Sequence, residues 1–177
     1  MPKADPAKRI PKLLDAVQAD FPRLKAAVEA LMRRQYGLDE ALELTVSPPE
    51  KFRFLPTFDA TRRRRPSPML QARFDYAGAI DHGGDLWLAP AGMERWMKKR
   101  VVRSYHKALR EHWEKSAPMR FADHDLTLFA VTEDAPDNLT YLVWRGAEEP
   151  EVWSHQGMTG RRFKNLAAYL AWHLKRE

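Results

Sequence analysis

The chain has 177 residues, of which 44% are apolar and 31% charged, and this composition is typical of one globular domain rather than of a disordered segment. It contains no cysteine, which excludes disulfides, thiolate metal sites and cysteine nucleophiles. The net charge is +6, but residues 1–120 carry 24 basic and 15 acidic side chains, whereas residues 121–177 carry 6 basic and 9 acidic ones. Opposite potentials on two surfaces would suit either an anionic or a cationic partner.

The chain contains no apolar run that approaches the roughly 20 residues needed to span a bilayer, and its N-terminus lacks the apolar stretch of a secretory signal. We therefore expect a cytoplasmic protein with no membrane partner. The composition predicts a single domain over residues 1–177. Its expected parts are a helical part (1–46), an irregular Pro/Arg-rich segment (47–72) and an α+β core (73–177).

The N-terminal segment predicts a helix from Ile10 to Tyr36 that is interrupted near Asp20. Asp20 is a good N-cap, and Pro22 is tolerated in the first turn of a new helix. Gly37 is a suitable end for the second helix. Apolar and polar residues then alternate over 42–46, which is typical of a short half-buried strand.

Residues 47–72 contain two proline clusters, at 48–49 and at 66–68, that bracket several aromatic residues. Prolines cannot donate to a sheet ladder, so the segment is predicted to be an edge strand or a loop packed on the body of the protein. It ends in four consecutive arginines, Arg62 to Arg65, which repel one another unless an anion lies near. The protein's own acidic segment 121–151 is one candidate for that anion.

The next segment predicts a turn over Asp81–Asp85, a brief strand over 86–88 and then the longest helix, about Ala91 to Lys115. Pro90 would open this helix, and Pro118 would end it. Its apolar stripe is expected to be buried and comprises Met93, Met97, Val101, Tyr105, Leu109 and His112.

The remaining residues predict strands over 126–131, 139–144 and 152–155 and a closing helix from about Phe163 to Lys175. Consecutive strands joined by short turns pair in antiparallel fashion, and helices and strands are segregated along the chain. The sequence therefore predicts an α+β fold in which a small antiparallel sheet packs against several helices, one of them long and basic.

The order of elements from about Gly83 to Leu174 resembles that of the SMI1/KNR4 (SUKH) superfamily. The resemblance comprises a Gly-containing turn and strand over 83–88, a Pro-initiated helix from Ala89-Pro90, and strands over 126–134 and 139–144. A closing helix carries Phe163, Leu166, Tyr169 and Leu170. It implies a compact α+β scaffold for protein–protein binding, and many bacterial members are immunity proteins that neutralise a toxin by occlusion. No catalytic apparatus or cofactor is implied.

The six histidines provide little support for catalysis or a metal site. His106 and His112 are six residues apart on a predicted helix, which places them too far around the axis to share a metal. Asp123-His124-Asp125 is interpreted as a solvated turn before a strand. Asp81-His82 beside two glycines is the best candidate for acid–base chemistry, but no nucleophile motif or phosphate-binding loop accompanies it. We therefore expect no enzyme, no metal and no cofactor.

Two surfaces remain as candidate binding sites. The first is an acidic surface with tryptophan anchors that would meet a basic toxin, and its residues are Asp123, Asp134, Asp137, Trp144, Glu148, Glu149 and Trp153. The second is a basic surface on the arginine run and the long helix that would bind nucleic acid, and its residues are Arg62, Arg63, Arg64, Arg65, Lys99, Arg103 and Lys107. A solvated helix face and sheet-core tryptophans are the plain alternatives. The favoured hypothesis is a non-enzymatic immunity protein, and nucleic-acid binding is the second.

Overall fold

A computed structural model describes residues 5–36, 43–82, 85–132, 138–157 and 159–174. Within these ranges the strands form a seven-stranded antiparallel sheet in the order β1-β4-β5-β6-β7-β8-β9 and a separate two-stranded sheet of β2 and β3. The strands are β1 (Leu44–Val46), β2 (Leu55–Pro56), β3 (Arg63–Arg64), β4 (Ile80–His82), β5 (Asp85–Trp87), β6 (Leu126–Thr132), β7 (Asn138–Val143), β8 (Glu151–Gln156) and β9 (Thr159–Phe163). The α+β prediction is confirmed.

Helices precede, interrupt and follow the main sheet. They are α1 (Ile10–Tyr36), α2 (Pro68–Tyr76), α3 (Pro90–Lys98), α4 (Arg100–His112), α5 (Ala117–Arg120) and α6 (Leu166–His173). Two 3-10 turns, Pro6–Arg9 and Asp123–Asp125, precede α1 and β6. In the part of the chain that the structure describes, none of the helices combines the length and apolar content that a membrane span requires.

The core is centred on β6 and β7, whose residues are buried on both faces of the sheet. Alternate residues of a strand point to opposite faces, so burial of both sets means that both faces are covered by other elements. The segment at and after β2 packs beside the start of β6, where the Phe58 backbone N–H donates to the Leu126 carbonyl at 2.9 Å. The Thr127 hydroxyl donates to the Pro56 carbonyl at 2.7 Å. The prediction that this segment packs on the body is confirmed.

The predicted interruption of the first helix at Asp20 is wrong, because α1 runs unbroken through Pro22. Pro22 is exposed, so the helical hydrogen bond that it cannot make is lost on the solvent side. The Asp20 carboxylate accepts from Arg23 Nε at 2.9 Å instead of capping a new helix. Gly37, the predicted helix end, lies outside the described residues.

The predicted long helix Ala91–Lys115 is also wrong, because the chain breaks at Lys99 into α3 and α4. Lys99 is extended, with φ −63° and ψ 134°, and this single non-helical residue shifts the phase of the buried face. Val102 and Leu109 are therefore buried on α4, whereas Val101 is 43% exposed. His112, predicted to be buried, is exposed as well.

Several elements of the fold were not predicted, among them α2, β4, α5 and β9. Helix α2 begins inside the segment predicted to be irregular, where the Ser67 hydroxyl accepts from the Leu70 N–H as an N-cap. Strand β9 contains Phe163, which the sequence placed in the closing helix. That helix starts later, at α6, and its N-cap is Asn165. Pro118 lies within the short helix α5.

Candidate functional site

A tight turn after β2 presents the arginine run. The Thr57 hydroxyl is buried and lies 2.7 Å from the Asp59 carbonyl oxygen. The Asp59 carboxylate accepts from the Thr61 backbone N–H at 2.9 Å and from the Thr61 hydroxyl at 2.7 Å, and these bonds lower the pKa of Asp59. Short side chains therefore hold the turn, and Arg62, Arg63 and Arg65 of the arginine run are exposed.

Arg64 is the arginine of the run that is bound by the acidic segment. It donates to the His124 carbonyl at 3.0 Å and to Asp125 Oδ1 at 2.5 Å. The contact joins β3 to the 3-10 turn before β6. The hypothesis that the protein's own 121–151 segment neutralises part of the arginine run is confirmed for this residue, so Arg64 is not available as an exposed phosphate ligand.

Some of the basic side chains of α4 also make contacts within the fold. Arg110 donates to the Asp123 carboxylate, and Arg103 Nη1 donates to the Phe58 carbonyl at 3.4 Å. The Arg103 guanidinium carbon lies 5.5 Å from the centroid of the Phe58 ring, within the range of a cation–π contact. Both cations therefore fix α4 against the segments around it as well as adding positive charge.

The outer cations of this region lie on and just before α4. Lys107 is 72% exposed in its side chain and 3.6 Å from Glu111 Oε1. Lys99 sits at the helix break with its Nζ 3.1 Å from the centroid of the Trp96 ring, and Arg100 is exposed. Exposed pairs of this kind contribute little to stability, so these charges act mainly on the surface potential.

A chain of hydrogen-bonded polar groups runs from the half-exposed Asp123 to the buried Tyr141. His106 Nε2 lies 2.9 Å from Asp123 Oδ1, and His106 Nδ1 lies 3.3 Å from the Tyr141 hydroxyl. The His106 ring stacks on Phe58 with centroids 4.0 Å apart. Burial lowers the pKa of His106, although Asp123 acts in the opposite direction, and burial raises the pKa of Tyr141. Tyr141 is fully buried, so a substrate cannot reach the far end of this chain of polar groups.

The acidic surface predicted from the sequence is divided by the fold. Glu149 is half-buried and accepts from the Ser67 hydroxyl at 2.5 Å and from the Met69 N–H at 2.8 Å, so it caps α2. Burial raises the pKa of Glu149. Glu148 is exposed, and Asp123 is bound in the chain of hydrogen-bonded polar groups. The other two predicted acidic residues lie outside the described ranges: Asp134 and Asp137.

The two tryptophans predicted as candidate anchors are core residues. Trp144 is 9% exposed and Trp153 is 5% exposed. Trp144 Nε1 donates to the Thr127 hydroxyl at 3.1 Å, and Trp153 Nε1 donates to Glu151 Oε2 at 2.9 Å. The expectation of an exposed hot spot at either position is corrected, because both rings belong to the buried core cluster.

The Asp81-His82 candidate lies in β4, and its imidazole is buried in the core. His82 is 4% exposed and packs against Phe21 and Trp87, with its Nδ1 3.4 Å from His173 Nε2. Burial lowers the pKa of His82. Over the described ranges, no three His, Asp or Glu side chains are grouped so that they could hold a metal ion.

A small cleft between the 57–63 turn and the α3–α4 junction unites part of the basic surface with residues that the sequence did not indicate. Arg62, Arg63 and Arg103 line it together with Lys98 and Glu94 of α3. The signal available in the sequence was the Glu94–Lys98 spacing of four residues, which favours a pair on one helix face. The Lys98 Nζ to Glu94 Oε1 distance is 3.0 Å.

Comparison with known proteins gives no relative for this chain. No family model, no curated protein and no solved structure matches it.

Proposed function

We propose that this chain is a non-enzymatic cytoplasmic binding protein of the SUKH type, an immunity protein that neutralises a toxin by direct contact. The observation that carries the proposal is the order of β4, β5, the Pro-initiated α3, the hairpins of β6–β8 and the closing α6. This order corresponds to the one on which the resemblance rests, and it forms a continuous scaffold around one core cluster.

Several titratable side chains are buried or bound to other elements of the fold, and this favours a binding function over a catalytic one. His82, His106 and His155 are buried, and burial lowers the pKa of each. Asp123 and Glu149 are bound by groups from other elements. A general acid or base has to reach a substrate, and these groups instead connect helices to strands. Catalysis would therefore have to come from groups other than these.

The charge that remains on the surface favours an acidic contact patch on the partner. Arg62 on the 57–63 turn and Arg100 and Lys107 on α4 are exposed. Complementary charge raises the association rate and disfavours wrong partners. A toxin with an acidic patch near its active site fits this surface better than the basic effector domain considered from the sequence.

Co-expression tests the proposal directly. The chain is co-expressed with the product of the open reading frame adjacent to its gene, and growth and 1:1 complex formation are measured. We expect protection, and we expect Arg100→Glu with Lys107→Glu to weaken the complex by about tenfold or more. The matched control is Arg161→Glu, an exposed arginine on β9. Absence of protection, or turnover of a substrate by the chain alone, would contradict the proposal.

Nucleic-acid binding is the second candidate, and the exposed cations around the α3–α4 junction favour it. Affinity for a single-stranded oligonucleotide would then fall linearly with salt on logarithmic axes. Replacing Arg62, Arg100 and Lys107 by alanine would reduce that slope by about one for each phosphate that the variant no longer neutralises. An unchanged slope would exclude this surface as a nucleic-acid site.

A further inference from the structure

Four cations from three segments line the cleft at the α3–α4 junction. Arg62 and Arg63 come from the end of the turn after β2 and the start of β3, Lys98 from the last turn of α3 and Arg103 from α4. Among the described lining residues Glu94 carries the negative charge. Four like charges around one small space repel one another, so the arrangement favours an anion in that space.

Glu94 forms ion pairs with two of these four cations. Arg63 Nη2 lies 3.3 Å from Glu94 Oε2, and Lys98 Nζ lies 3.0 Å from Glu94 Oε1. The hydrogen bonds from Lys98 and Arg63 lower the pKa of Glu94, so its carboxylate stays ionised at neutral pH. One carboxylate leaves the lining with a net positive charge, and Arg62 extends into solvent at the rim.

The size of the cleft limits what enters it. Its volume is about 30 Å³, and Pro56 and Met97, both buried, form the apolar part of its lining. A single water needs about 10–15 Å³ by the same measure, so the space accepts two or so oxygen atoms and excludes a ring. Two oxygens of an oxyanion therefore enter the cleft, whereas a nucleobase or a sugar remains outside.

We propose that this cleft binds a phosphate group, held by Arg62, Arg63, Lys98 and Arg103. A phosphate carries up to two charges on oxygens that point in several directions, which matches cations arriving from a turn and from two helices. A carboxylate is planar and is satisfied by a single arginine fork. The inference does not rest on the proposed protein-binding function, because it concerns the isolated chain.

Titration of the whole chain with inorganic phosphate at constant ionic strength tests the site. Backbone NMR shifts around the cleft report saturation, with chloride as the reference ion and pyrophosphate and a short single-stranded oligonucleotide as further arms. We expect saturable binding with the largest shifts at the turn and at the α3–α4 junction. Tighter binding of the oligonucleotide than of free phosphate would identify nucleic acid as the source of the group, and the reverse would identify a small phosphate compound.

Three variants distinguish a specific phosphate site from nonspecific electrostatic attraction of phosphate to the basic surface. Arg62→Gln removes one ligand of the phosphate, and we expect about tenfold weaker phosphate binding. Within the described ranges the Arg62 guanidinium donates no hydrogen bond, so the variant should keep the fold. Glu94→Gln removes the competing carboxylate, and we expect binding that is several-fold tighter. Arg65→Gln removes the same charge from an exposed arginine outside the cleft and serves as the matched control, with little change expected.

Several results would overturn the proposal. These are non-saturable binding, equal losses in Arg62→Gln and Arg65→Gln, or no gain in Glu94→Gln. Preference for a polyglutamate peptide over phosphate would also overturn it and would assign the cleft to acidic side chains of a protein partner. No toxin is present in these titrations. A negative result would therefore contradict the phosphate site without contradicting the proposed immunity function, which the co-expression experiment tests separately.

Discussion

Acidification should destabilise this fold through His155, which lies in β8 and is 1% exposed. The Ala117 N–H donates to its Nε2 at 3.4 Å, and the ring packs edge-on against Tyr141. Burial lowers the pKa of His155 from 6.5 to about 4. The unfolded chain therefore binds a proton at a pH where the folded chain does not, and stability is lost as the pH falls from about 6.5 towards about 4.

The size of this loss follows from the two pKa values. Between about pH 7.5 and about pH 5, the linkage relation gives about 2 kcal/mol from His155 alone. His82 and His106 act in the same direction, because burial also lowers their pKa values. The wild-type chain should therefore lose more than the His155 contribution over this range.

Urea unfolding followed by tryptophan fluorescence at the two pH values measures the effect. His155→Gln keeps an acceptor for the Ala117 N–H but cannot titrate, so its acid-induced loss should be about 2 kcal/mol smaller than that of the wild type. His112→Gln, at an exposed histidine of α4, is the control and should lose as much as the wild type. Equal losses in wild type and His155→Gln would refute the reasoning.

Three further variants test interactions that hold the candidate surfaces in place. Asp123→Asn weakens the bonds to its imidazole and guanidinium partners, and because its side chain is 40% exposed we expect a loss of about 1 kcal/mol in urea unfolding. Glu149→Ala removes the acceptor for the Met69 N–H and should cost about 1 kcal/mol of unfolding free energy, whereas Glu148→Ala at the exposed neighbour should cost almost nothing. Gly160→Ala would place its Cβ 3.1 Å from a buried imidazole, and a thermal melt should show a loss of about 0.5–1 kcal/mol. An unchanged melting temperature in Gly160→Ala would show that the ring can move aside.

The sequence predicted those parts of the fold where local pattern and burial agree. Strands β6 and β7 appeared within about a residue of their observed ends, because runs of apolar residues bounded by turn residues are typical of buried strands. Helix α3 begins at Pro90 as expected. Strand β9 was not predicted, since four of its five residues are exposed and only its pairing with β8 defines it.

The helix break at Lys99 could not be predicted from the sequence for a different reason. Lysine is a good helix former, and nothing within one turn of it signals an end. The break is defined by tertiary contacts on either side of it, with Met97 and Val102 both buried although they are five residues apart. A uniform helical period cannot describe such a change of phase.

The sequence predicted several of the charged residues that belong to the candidate site, but it did not predict the individual ion pairs that they form. The sequence identified Arg64 and Asp123 but assigned them to opposite surfaces, whereas the fold pairs Arg64 with Asp125 and Asp123 with Arg110. These ion pairs join residues that are far apart in the chain or on different elements. The charge distribution indicated that the acidic segment 121–151 could meet the arginine run, but the individual partners depend on the final packing, which composition and spacing do not encode.

The succession of β6, β7, β8 and β9 has a consequence for how the chain folds. Each of these strands pairs with the one that follows it in sequence, so their pairing closes short loops at little entropic cost. Strand β1, in contrast, joins the sheet through β4, across the segment that contains the small sheet and α2. We expect the C-terminal hairpins to form the folding nucleus and α1 and β1 to dock last, which would give low φ-values along the N-terminal helix.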